Sequence, residues 1–462
     1  MIFLRFLAFT AINFKMFFLW LYQLVGLRFL VARITGRGVA WLHAPAMLRK
    51  FFEDLGPTFI KLGQIIASSP GLFPARYSRE FQKCLDRVPP FSTKTALEIV
   101  QAELGKPANQ VFLTFDEKPI AAASIAQVHA ATLQDGTEVV VKIQRPRIRN
   151  RVIADMKVMG FFARVVQRLV KTAELANPVA IIEDFDRTIR EELDFRLEAK
   201  NLDQFNAFFA RVGEDELVAP KVYWDYTTER ILTMERFHGL KADDVEAITR
   251  LGIDSEHYLR RGLRGWLMIM LCTGFFHGDV HAGNLMFLAD RRKIGFLDFG
   301  IIGKFTPEQR DQVMRYIITF AGADFRKNAE LLVEIGAAPK DIDLEEFAVH
   351  LKETYSPILG KSLASIKYEE ILPTIVRGAI KFGVRLPREF ILVLKQLLYF
   401  DRYAKLTAPN LNVWQDFSLV DFLFLPIATE CGLDVPKIME SLVKLQAQTA
   451  ARNSESSSTA EA

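Results

Sequence analysis

Apolar and polar positions along the chain predict short strands separated by helices. The β-branched run Glu138 to Ile143 follows the polar turn sequence 134–137, a pattern that indicates a β-hairpin. Strand-like runs also cover Ile231 to Phe237 and Lys293 to Leu297. The sequence Thr306 to Gln309 has threonine at the cap, proline next and glutamine third, which predicts the start of a helix with a capping box. The pattern therefore predicts a chain that contains both strands and helices.

The first fifty residues have a different pattern, because apolar residues dominate from Phe6 to Leu27 with Lys15 in the middle. About twenty apolar residues can span a bilayer, but a central lysine costs about 2.5 to 3.5 kcal/mol on insertion scales. A spanning helix and an interfacial helix both remain open. If the segment spans, the basic residues after it predict that the rest of the chain lies on the cytoplasmic side.

Charge supports membrane association of this segment. Its fifty residues carry seven Lys or Arg and no Asp or Glu, whereas the whole chain is +4, so the remainder is −3. Each basic residue near an anionic lipid surface contributes about 1 kcal/mol. We therefore expect anionic membrane lipids as partners. Nucleic acid is not expected, because the basic excess lies in an apolar segment.

Other parts of the chain add little chemistry. The cysteines Cys84, Cys272 and Cys431 form no spacing motif, which indicates a reducing compartment. The late apolar run Leu419 to Ile427 contains a proline and an aspartate, and it is typical of a helix end packing on a core. The Ser, Ala and Glu-rich tail 449–462 is expected to be disordered.

The most informative motif is the run His277 to Asn284, followed fourteen residues later by Asp298, Phe299 and Gly300. Phosphoryl transfer requires a carboxylate beside the nucleophile, an amide oxygen on one Mg²⁺, and a second carboxylate between Mg²⁺ and the phosphates. Asp279, Asn284 and Asp298 supply these groups in that order. Four residues separate Asp279 from Asn284, as in the catalytic loop of protein kinases.

A competing interpretation is that His277, Asp279 and His281 bind a transition metal, since imidazole and carboxylate suit zinc or iron. The other histidines are scattered along the chain, so nothing completes such a site. A chance match to Asp-Phe-Gly is a second alternative. The order and spacing of the two motifs favour the phosphoryl-transfer interpretation over both.

An upstream lysine should hold the α and β phosphates, and Lys142 in the predicted hairpin fits that role. Where a kinase has its glycine-rich loop, this chain has Ala121, Ala122, Ala123 and Ser124. Each alanine adds a Cβ and restricts the backbone near phosphate. We therefore expect a stiffer nucleotide cradle.

Five motifs together resemble one family: the segment 61–64, the alanine-rich loop, Glu192 to Asp194, the run His277 to Asn284, and Asp298 to Gly300. The chain resembles the UbiB-type atypical kinases, which are tied to ubiquinone biosynthesis and lipid homeostasis, from about Leu55 to about Leu406. The resemblance implies a two-lobed protein-kinase-like α+β fold with an N-terminal helical extension over the active site, extra C-terminal helices, and ATP and Mg²⁺ as cofactors.

The resemblance implies this domain order: a basic apolar membrane-associating segment, 1–50; a helical extension, 51–115; a kinase-like N-lobe with inserted helices, 116–237; a C-lobe with C-terminal helices, 238–448; and the tail, 449–462.

The resemblance also assigns a regulatory lid to Lys61 and Gln64, which would fold over the site where a peptide would bind. Gly63 between them costs about 1 kcal/mol inside a helix, which suggests close packing against its backbone. The matching acidic residues are Glu192 and Asp194, with Glu198 about one turn later in the same predicted helix.

One of these acids should pair with Lys142 and another should engage Lys61 or a metal, but the sequence leaves the assignment open. Backbone groups of Glu235 to Phe237, at the predicted hinge, could hold adenine. Relatives commonly have prolines in the 277–284 loop, whereas this chain has Gly278, Val280 and Ala282. We therefore expect a less pre-organised loop.

The segment after Gly300 limits the class of substrate, because it is only about five residues long before the predicted helix at Thr306. A peptide-docking activation segment does not fit there. Taken with this short segment, the resemblance implies a membrane-associated Mg-ATP-dependent atypical kinase or ATPase, acting on a small lipid-like acceptor or water and supporting ubiquinone or other isoprenoid-lipid biosynthesis.

The expected partners are quinone or isoprenoid lipid and lipid-biosynthesis enzymes, at a bacterial inner membrane. The alternative is a nucleotide-binding pseudokinase that regulates a lipid-biosynthesis assembly. A protein kinase is a third option.

Overall fold

The computed structural model divides the chain into two compact units. The first comprises Met1–Lys200 and Lys221–Arg236, and the second comprises Asn201–Pro220 and Phe237–Ala462. The structure describes residues 5–7, 9–12, 15, 43–68, 75–81, 83, 89–169, 178–242, 244–288, 292–356, 368–385, 387–407, 416–433 and 436. The predicted tail 449–462, Cys84 and most of the predicted membrane segment 1–50 lie outside these residues.

The first unit contains a sheet and surrounding helices. The helices are α1 (Ala44–Leu55), α2 (Pro57–Ser68), α3 (Ala75–Phe81), α4 (Thr93–Leu104), α5 (Ala108–Val111), α6 (Ile148–Leu169), α7 (Pro178–Glu192) and the beginning of α8 (Phe195–Arg211), and the strands are β1 (Phe112–Phe115), β2 (Ala121–Ala122), β3 (Ala126–Leu133), β4 (Glu138–Gln144) and β6 (Ile231–Glu235).

The sheet order in this unit is β1-β3-β4-β6, with β2 also paired to β3 and all pairs antiparallel. The predicted hairpin is present, because β3 and β4 pair from Thr132 and Glu138 onward. Along β4, Val139, Val141 and Ile143 join the buried cluster that includes Ile99 of α4. Side chains alternate along a strand, so Lys142 faces away from that cluster.

The second unit contains the strands β5 (Leu217–Val218), β7 (Leu240–Lys241), β8 (Phe275–His277), β9 (Leu285–Leu288), β10 (Lys293–Phe296) and β11 (Ile302–Lys304), together with the helices α9 (Val245–Arg250), α10 (Ser255–Thr273), α11 (Pro307–Ala321), α12 (Phe325–Glu334), α13 (Leu344–Tyr355), α14 (Tyr368–Lys381), α15 (Arg388–Thr407) and α16 (Pro426–Glu430). Its larger sheet has the order β5-β10-β9-β7, and β8 pairs with β11.

Two strand pairings in this unit place the predicted motifs. Strand β10 pairs with β9 and leads directly to Asp298, while β8 ends at His277 and pairs with β11 beyond Gly300. The capping box forms, since Thr306 accepts from the Gln309 amide and the Gln309 side chain accepts from the Thr306 amide. Helix α11 therefore begins at Pro307, immediately after the short segment that follows Asp298.

Two sequence predictions about helices were wrong. Asp194 and Glu198 do not share a helix, because α7 ends at Glu192 and α8 begins at Phe195. Asp194 precedes α8 and accepts a hydrogen bond from the Arg196 amide at 3.1 Å, as residues at helix starts do. The run from Leu419 is not one helix end, since short 3-10 turns over Phe417–Leu419 and Asp421–Phe424 precede α16.

Candidate functional site

In the first unit, Lys142 of β4 pairs with Glu198 in the first turn of α8. The Lys142 Nζ donates to both carboxylate oxygens at 2.8 Å. Glu198 is buried, and the Lys142 ammonium lies 5.3 Å from the centroid of the Phe195 ring. A buried carboxylate of this kind needs a cationic partner, because burial without one is costly. The structure therefore pairs a strand lysine with a helix glutamate, which is the kind of pairing that a kinase-type site requires.

A second ion pair joins Lys61 of α2 to Glu192, the last residue of α7, with 2.9 Å between Nζ and Oε1. Gln64 lies one turn further along α2 and is half-buried. Gly63 is packed closely, because a Cβ at that position would lie 2.7 Å from Cδ1 of Phe81. The unusual glycine in this helix therefore has a packing cause.

Asp194 pairs with neither of the two predicted lysine partners, Lys142 and Lys61. Its carboxylate accepts from the Arg196 guanidinium at 2.8 Å, and this hydrogen bond lowers the pKa of Asp194. The neighbouring Glu191 is exposed. Each of the three motif acids therefore contacts a different basic residue: Glu198 contacts Lys142, Glu192 contacts Lys61, and Asp194 contacts Arg196.

The alanine-rich loop forms a tight hairpin. Ala121 and Ala122 pair with β3, and the Ala123 amide donates to the Ala126 carbonyl at 2.8 Å. Arg145 braces the loop, because its backbone amide donates to the Ile125 carbonyl and its Nε donates to the Ala123 carbonyl at 3.0 Å. Ser124 is buried beside these contacts. These contacts hold the loop backbone, and the stiffer nucleotide cradle expected from the alanines stays a prediction.

A buried polar network that the sequence did not reveal lies beneath this loop. Gln127 accepts from the Phe91 amide at 3.0 Å, and its Nε2 lies 2.8 Å from Nε2 of His129. The His129 Nδ1 lies 2.8 Å from the Asp116 carbonyl oxygen. Since a carbonyl can only accept, His129 carries its hydrogen on Nδ1 and accepts from Gln127. Burial lowers the pKa of His129, which favours the neutral ring.

The predicted adenine contact at Glu235 needs one correction. The Glu235 amide donates to the Lys221 carbonyl at 2.8 Å, and the Arg236 amide donates to the Glu138 carbonyl at 3.3 Å. Both donors are therefore used by the neighbouring chain segments. In the second unit, the Phe237 ring packs against Gly295, where a Cβ would lie 2.7 Å from Phe237 Cδ2. Adenine contacts at this segment remain a prediction for groups other than these two amides.

Asp279 lies in a loop whose backbone donates hydrogen bonds to side chains of the same loop and accepts hydrogen bonds from them. The His277 Nδ1 accepts from the Asp279 amide at 3.0 Å, and the Asn284 Nδ2 donates to the Asp279 carbonyl at 3.1 Å. The His277 carbonyl accepts from the Trp266 indole at 3.0 Å. His277 is buried, and burial lowers its pKa to about 4, so the ring is neutral at pH 7. His277 thus serves the loop geometry.

These contacts also bear on the transition-metal alternative. The Nδ1 atoms of His277 and His281 both accept loop amides, from Asp279 and Gly283 respectively. Within the described residues, no group of three or more His, Cys, Asp or Glu side chains could hold a metal. The two histidines therefore act as loop hydrogen-bond acceptors in this structure.

Asp298 follows β10 in the second unit and accepts from the Gly300 amide at 2.9 Å. Phe299 is fully buried and packs edge-on to Phe205 with ring centroids 5.0 Å apart. The Phe299 carbonyl accepts from Asn201 at 3.1 Å. The buried phenylalanine therefore anchors the segment that carries the Asp298 carboxylate.

The chemistry of Asn284 and Asp298 fits Mg²⁺. Magnesium prefers oxygen ligands and is usually held by one or two protein groups plus phosphates and water. The Asn284 Nδ2 donates to the Asp279 carbonyl, so Oδ1 is the amide atom that can face a cation. A site of this kind uses one carboxylate and one amide, so it does not require a group of three His, Cys, Asp or Glu side chains, and the described residues contain no such group.

Two further residues contact the Asp279 loop from helix α15 of the second unit. Lys395 Nζ lies 2.7 Å from Asp279 Oδ1, and Gln396 bonds the loop backbone on both sides of Asp279. No sequence motif marks them, because they lie more than one hundred residues after the loop inside an ordinary amphipathic helix. An ion pair with the predicted base could only be found from the fold.

The structure therefore brings together Lys142 with Glu198 and Lys61 with Glu192 in the first unit. In the second unit it brings together Asp279 with Asn284 and the residues of α15.

Comparison with known proteins gives a consistent result. Residues 83–332 match the model of the ABC1 atypical kinase-like domain. An uncharacterised aarF domain-containing chloroplastic protein kinase of Arabidopsis thaliana is 38% identical over 81% of this chain and 74% of its own length. A probable protein kinase UbiB of Pseudomonas fluorescens is 33% identical over 81% of this chain and 70% of its own length.

Two mycobacterial proteins are also similar. An uncharacterised protein of Mycobacterium tuberculosis is 39% identical over 85% of this chain and 80% of its own length. A Mycobacterium tuberculosis protein solved in complex with erythromycin has a TM-score of 0.50 at 22% identity, over 77% of this chain and 89% of that one. The last similarity concerns the fold alone, which is the kinase-like α+β fold that the sequence predicted.

Proposed function

Because the chain belongs to the ABC1 atypical kinase-like family, we propose that it is a membrane-associated, Mg-ATP-dependent atypical kinase or ATPase that supports ubiquinone or other isoprenoid-lipid biosynthesis. The observation that carries this proposal is the Lys142–Glu198 ion pair, with 2.8 Å from Nζ to both oxygens. In protein kinases, the strand lysine and helix glutamate must be paired for phosphoryl transfer.

The roles follow from the chemistry of each side chain. Lys142, oriented by Glu198, would bind the α and β phosphates, and Asn284 and Asp298 would hold Mg²⁺. Mg²⁺, when bound, neutralises charge on the phosphates. Asp279 would accept the proton of an acceptor hydroxyl or of water as the new P–O bond forms and ADP leaves. The alanine-rich loop, Ala121 to Ser124, would cover the phosphates.

The segment after Asp298 supports a small acceptor. Ile302–Lys304 is paired to β8, and α11 begins at Pro307. A peptide-docking activation segment therefore has no length in which to form. The Lys61–Glu192 pair fixes the helix that carries the proposed lid residues Lys61 and Gln64. Both features favour a lipid-like acceptor or water over a protein.

Membrane association rests on the basic, acid-free first fifty residues. No helix within the described part of the chain is long and apolar enough to cross a membrane. The proposed partners are anionic membrane lipids, a quinone or isoprenoid lipid and lipid-biosynthesis enzymes, at the cytoplasmic side of a bacterial inner membrane.

A second candidate is a nucleotide-binding pseudokinase that regulates a lipid-biosynthesis complex without turnover. The observation that favours it is the alanine-rich loop, which Arg145 ties down at the Ala123 and Ile125 carbonyls. A loop that is fixed in this way, with a Cβ on each residue, approaches phosphate less easily than a glycine loop does. Such a loop could bind nucleotide without adjusting to the transition state.

The deciding experiment measures Mg²⁺-dependent ATP hydrolysis by the full chain, with and without vesicles containing anionic phospholipid. Asp298→Asn is compared with the control Asp311→Asn, which changes an exposed carboxylate paired with Arg315. We expect vesicles to raise turnover, Asp298→Asn to abolish it and Asp311→Asn to leave it unchanged. Nucleotide binding without turnover in any condition would favour the pseudokinase, and absence of both would contradict the proposal.

A further inference from the structure

Gln396 holds the backbone of the Asp279 loop from outside. Its Nε2 donates to the Gly278 carbonyl at 2.7 Å, and its Oε1 accepts from the Val280 amide at 2.6 Å. One amide group thus bonds the peptide groups on either side of Asp279, in the two-point manner of a neighbouring strand. Gln396 is fully buried, so water does not compete for these hydrogen bonds. This contact fixes the backbone direction from which the Asp279 side chain projects.

The two hydrogen bonds of Gln396 bear on the expectation that the 277–284 loop would be less pre-organised than in relatives. Prolines, which are common in the loops of relatives, are absent at positions 280 and 282 here. The rigidity that proline would give through its fixed φ can come instead from hydrogen bonds to the loop backbone. Gln396, together with the His277 and Asn284 contacts described above, supplies those bonds.

Lys395, the preceding residue on α15, contacts the Asp279 side chain itself. Its Nζ lies 2.7 Å from Asp279 Oδ1, and the two side chains are 13% and 24% exposed. Consecutive helical residues point about 100° apart, which allows Lys395 to reach the carboxylate while Gln396 reaches the backbone. Helix α15 therefore touches Asp279 at both its main chain and its charged group.

The Lys395–Asp279 ion pair is much less exposed than another ion pair of the same length in the second unit. Lys381 and Glu346 have the same 2.7 Å separation, but their side chains are 58% and 56% exposed. An exposed pair of that kind contributes little to stability. A largely buried lysine loses hydration that the ion pair must replace, so burial alone gives no stability advantage over an apolar residue.

We propose that Lys395 and Gln396 are positioning residues for Asp279, and this inference rests on the proposed function. Gln396 fixes the loop backbone, and Lys395 fixes the rotation of the carboxylate by binding Oδ1. In the proposed reaction, the acceptor oxygen attacks the γ phosphorus, its proton passes to the Asp279 carboxylate, and the bond from phosphorus to the β-phosphate oxygen breaks. A carboxylate that rotates freely would less often have an oxygen oriented to accept that proton.

The first test separates catalysis from binding. For Lys395→Met we expect kcat to fall about 10²-fold, the typical contribution of a positioned acid or base. We expect KM for Mg-ATP to change less than about twofold, because Lys395 acts through Asp279. Lys395→Arg should recover part of kcat, since it restores a cation. The control Lys381→Met removes a lysine from an equally short but exposed ion pair and should leave kcat unchanged.

The second test does not require turnover. Amide hydrogen exchange of the peptide that contains residues 277–284 should rise in Gln396→Met and Lys395→Met, and stay unchanged in Lys381→Met. If the wild-type protein neither binds nor hydrolyses Mg-ATP, the proposed function fails, and exchange alone decides the positioning role. Turnover within twofold of wild type in Lys395→Met, or unchanged loop exchange in a chain without turnover, would overturn the inference.

Discussion

Gln127 and His129 are two residues apart on β3, so their side chains project from the same side of the strand. Their hydrogen bonds run in one direction, from the Phe91 amide to Gln127, from Gln127 to His129, and from His129 to the Asp116 carbonyl. Every partner is satisfied only when His129 is neutral, because a protonated ring would turn Nε2 into a second donor facing the Gln127 amide. The network therefore requires one protonation state.

This requirement predicts a pH dependence of stability. Burial lowers the pKa of His129 in the folded protein, so below the ordinary histidine value of about 6.5 the unfolded chain binds the proton first. Stability is then lost as pH falls below that value, by at most about 1.4 kcal/mol per pH unit from this residue. The thermal midpoint of the wild type should therefore decrease more between pH 7 and pH 5.5 than that of His129→Asn.

Asparagine is the appropriate replacement, because its amide can still donate towards the Asp116 carbonyl but does not titrate in this range. A comparison variant is His350→Asn, which removes a histidine on helix α13, outside this network. Equal pH dependence in the wild type and His129→Asn would show that His129 is not the group responsible.

Individual residues differed in how well the sequence predicted their places in the fold. The place of Lys142 on strand β4 was predictable, because a β-branched run after a polar turn indicates a hairpin strand. The choice among the motif acids was not, since Glu192, Asp194 and Glu198 are chemically alike and only the helix break after Glu192 gives each its partner. Lys395 was unpredictable because its contact with Asp279 joins positions 116 residues apart.

Helix α2 has a glycine where helix propensity alone would favour alanine. Gly63 lies in the interior of the helix, and its missing Cβ lets the Phe81 ring approach its backbone. Helix α6 also has an interior glycine, Gly160, but a Cβ there would meet only the Arg164 guanidinium at an ordinary 3.5 Å. Gly63 is therefore a helical glycine with a close packing contact, and Gly160 is one without such a contact.

We expect opposite results when these glycines are replaced. Gly160→Ala should stabilise the protein by up to about 1 kcal/mol, the difference in helix propensity. Gly63→Ala should destabilise it, because the new methyl group would lie 2.7 Å from the Phe81 ring and would force α2 away from α3. Thermal unfolding monitored by circular dichroism measures both effects.

The double variant Gly63→Ala with Phe81→Leu offers a check on this explanation. Removing the ring should reduce the penalty of the alanine if the contact with Phe81 causes it. If Gly63→Ala alone is stabilising, close packing is not the reason for the glycine.

Local signals predicted elements well where all the information lay within a few residues. The β3–β4 hairpin follows from a polar turn between apolar runs, and the start of α11 follows from the capping box at Thr306. The break between α7 and α8 was missed because 178–211 contains no proline or glycine after Pro178 to mark it. The Phe195 amide instead donates to the Glu229 carbonyl, a contact that depends on the fold.

Two described residues near the start of the proposed membrane segment, Arg5 and Phe9, also contact the first unit. Arg5 donates to Asp155 of α6 at 2.5 Å and to the Leu55 carbonyl at 3.0 Å. Asp155 is only 1% exposed, and its second oxygen accepts from Thr58 at 2.6 Å. Phe9 packs against Phe162 with ring centroids 4.5 Å apart. The residues that begin the basic segment therefore neutralise a buried carboxylate.

A truncated protein that lacks residues 1–42 should consequently lose stability as well as vesicle binding. Removing one partner of a buried ion pair costs about 3 to 5 kcal/mol. Thr58 and Arg151, whose guanidinium lies 4.0 Å from Asp155, keep the expected loss near the lower end of that range. A loss of ATP turnover in the truncated protein would then have two causes, and activity alone could not attribute it to the membrane.

Point variants separate the two causes. In the full chain, Arg5→Met should lower the thermal midpoint but retain binding to vesicles containing phosphatidylglycerol, because six of the seven basic residues remain. The control Lys15→Met, which breaks an exposed pair with Asp54, should change stability little. Adding Asp155→Asn to the truncated protein should restore part of the lost stability without restoring vesicle binding, since the buried charge is then gone but the packing of Phe9 on Phe162 is still missing. An Arg5→Met protein as stable as the wild type would show that the buried Asp155 carboxylate does not depend on Arg5. A truncated protein that still sediments with vesicles would place the membrane contact elsewhere in the chain.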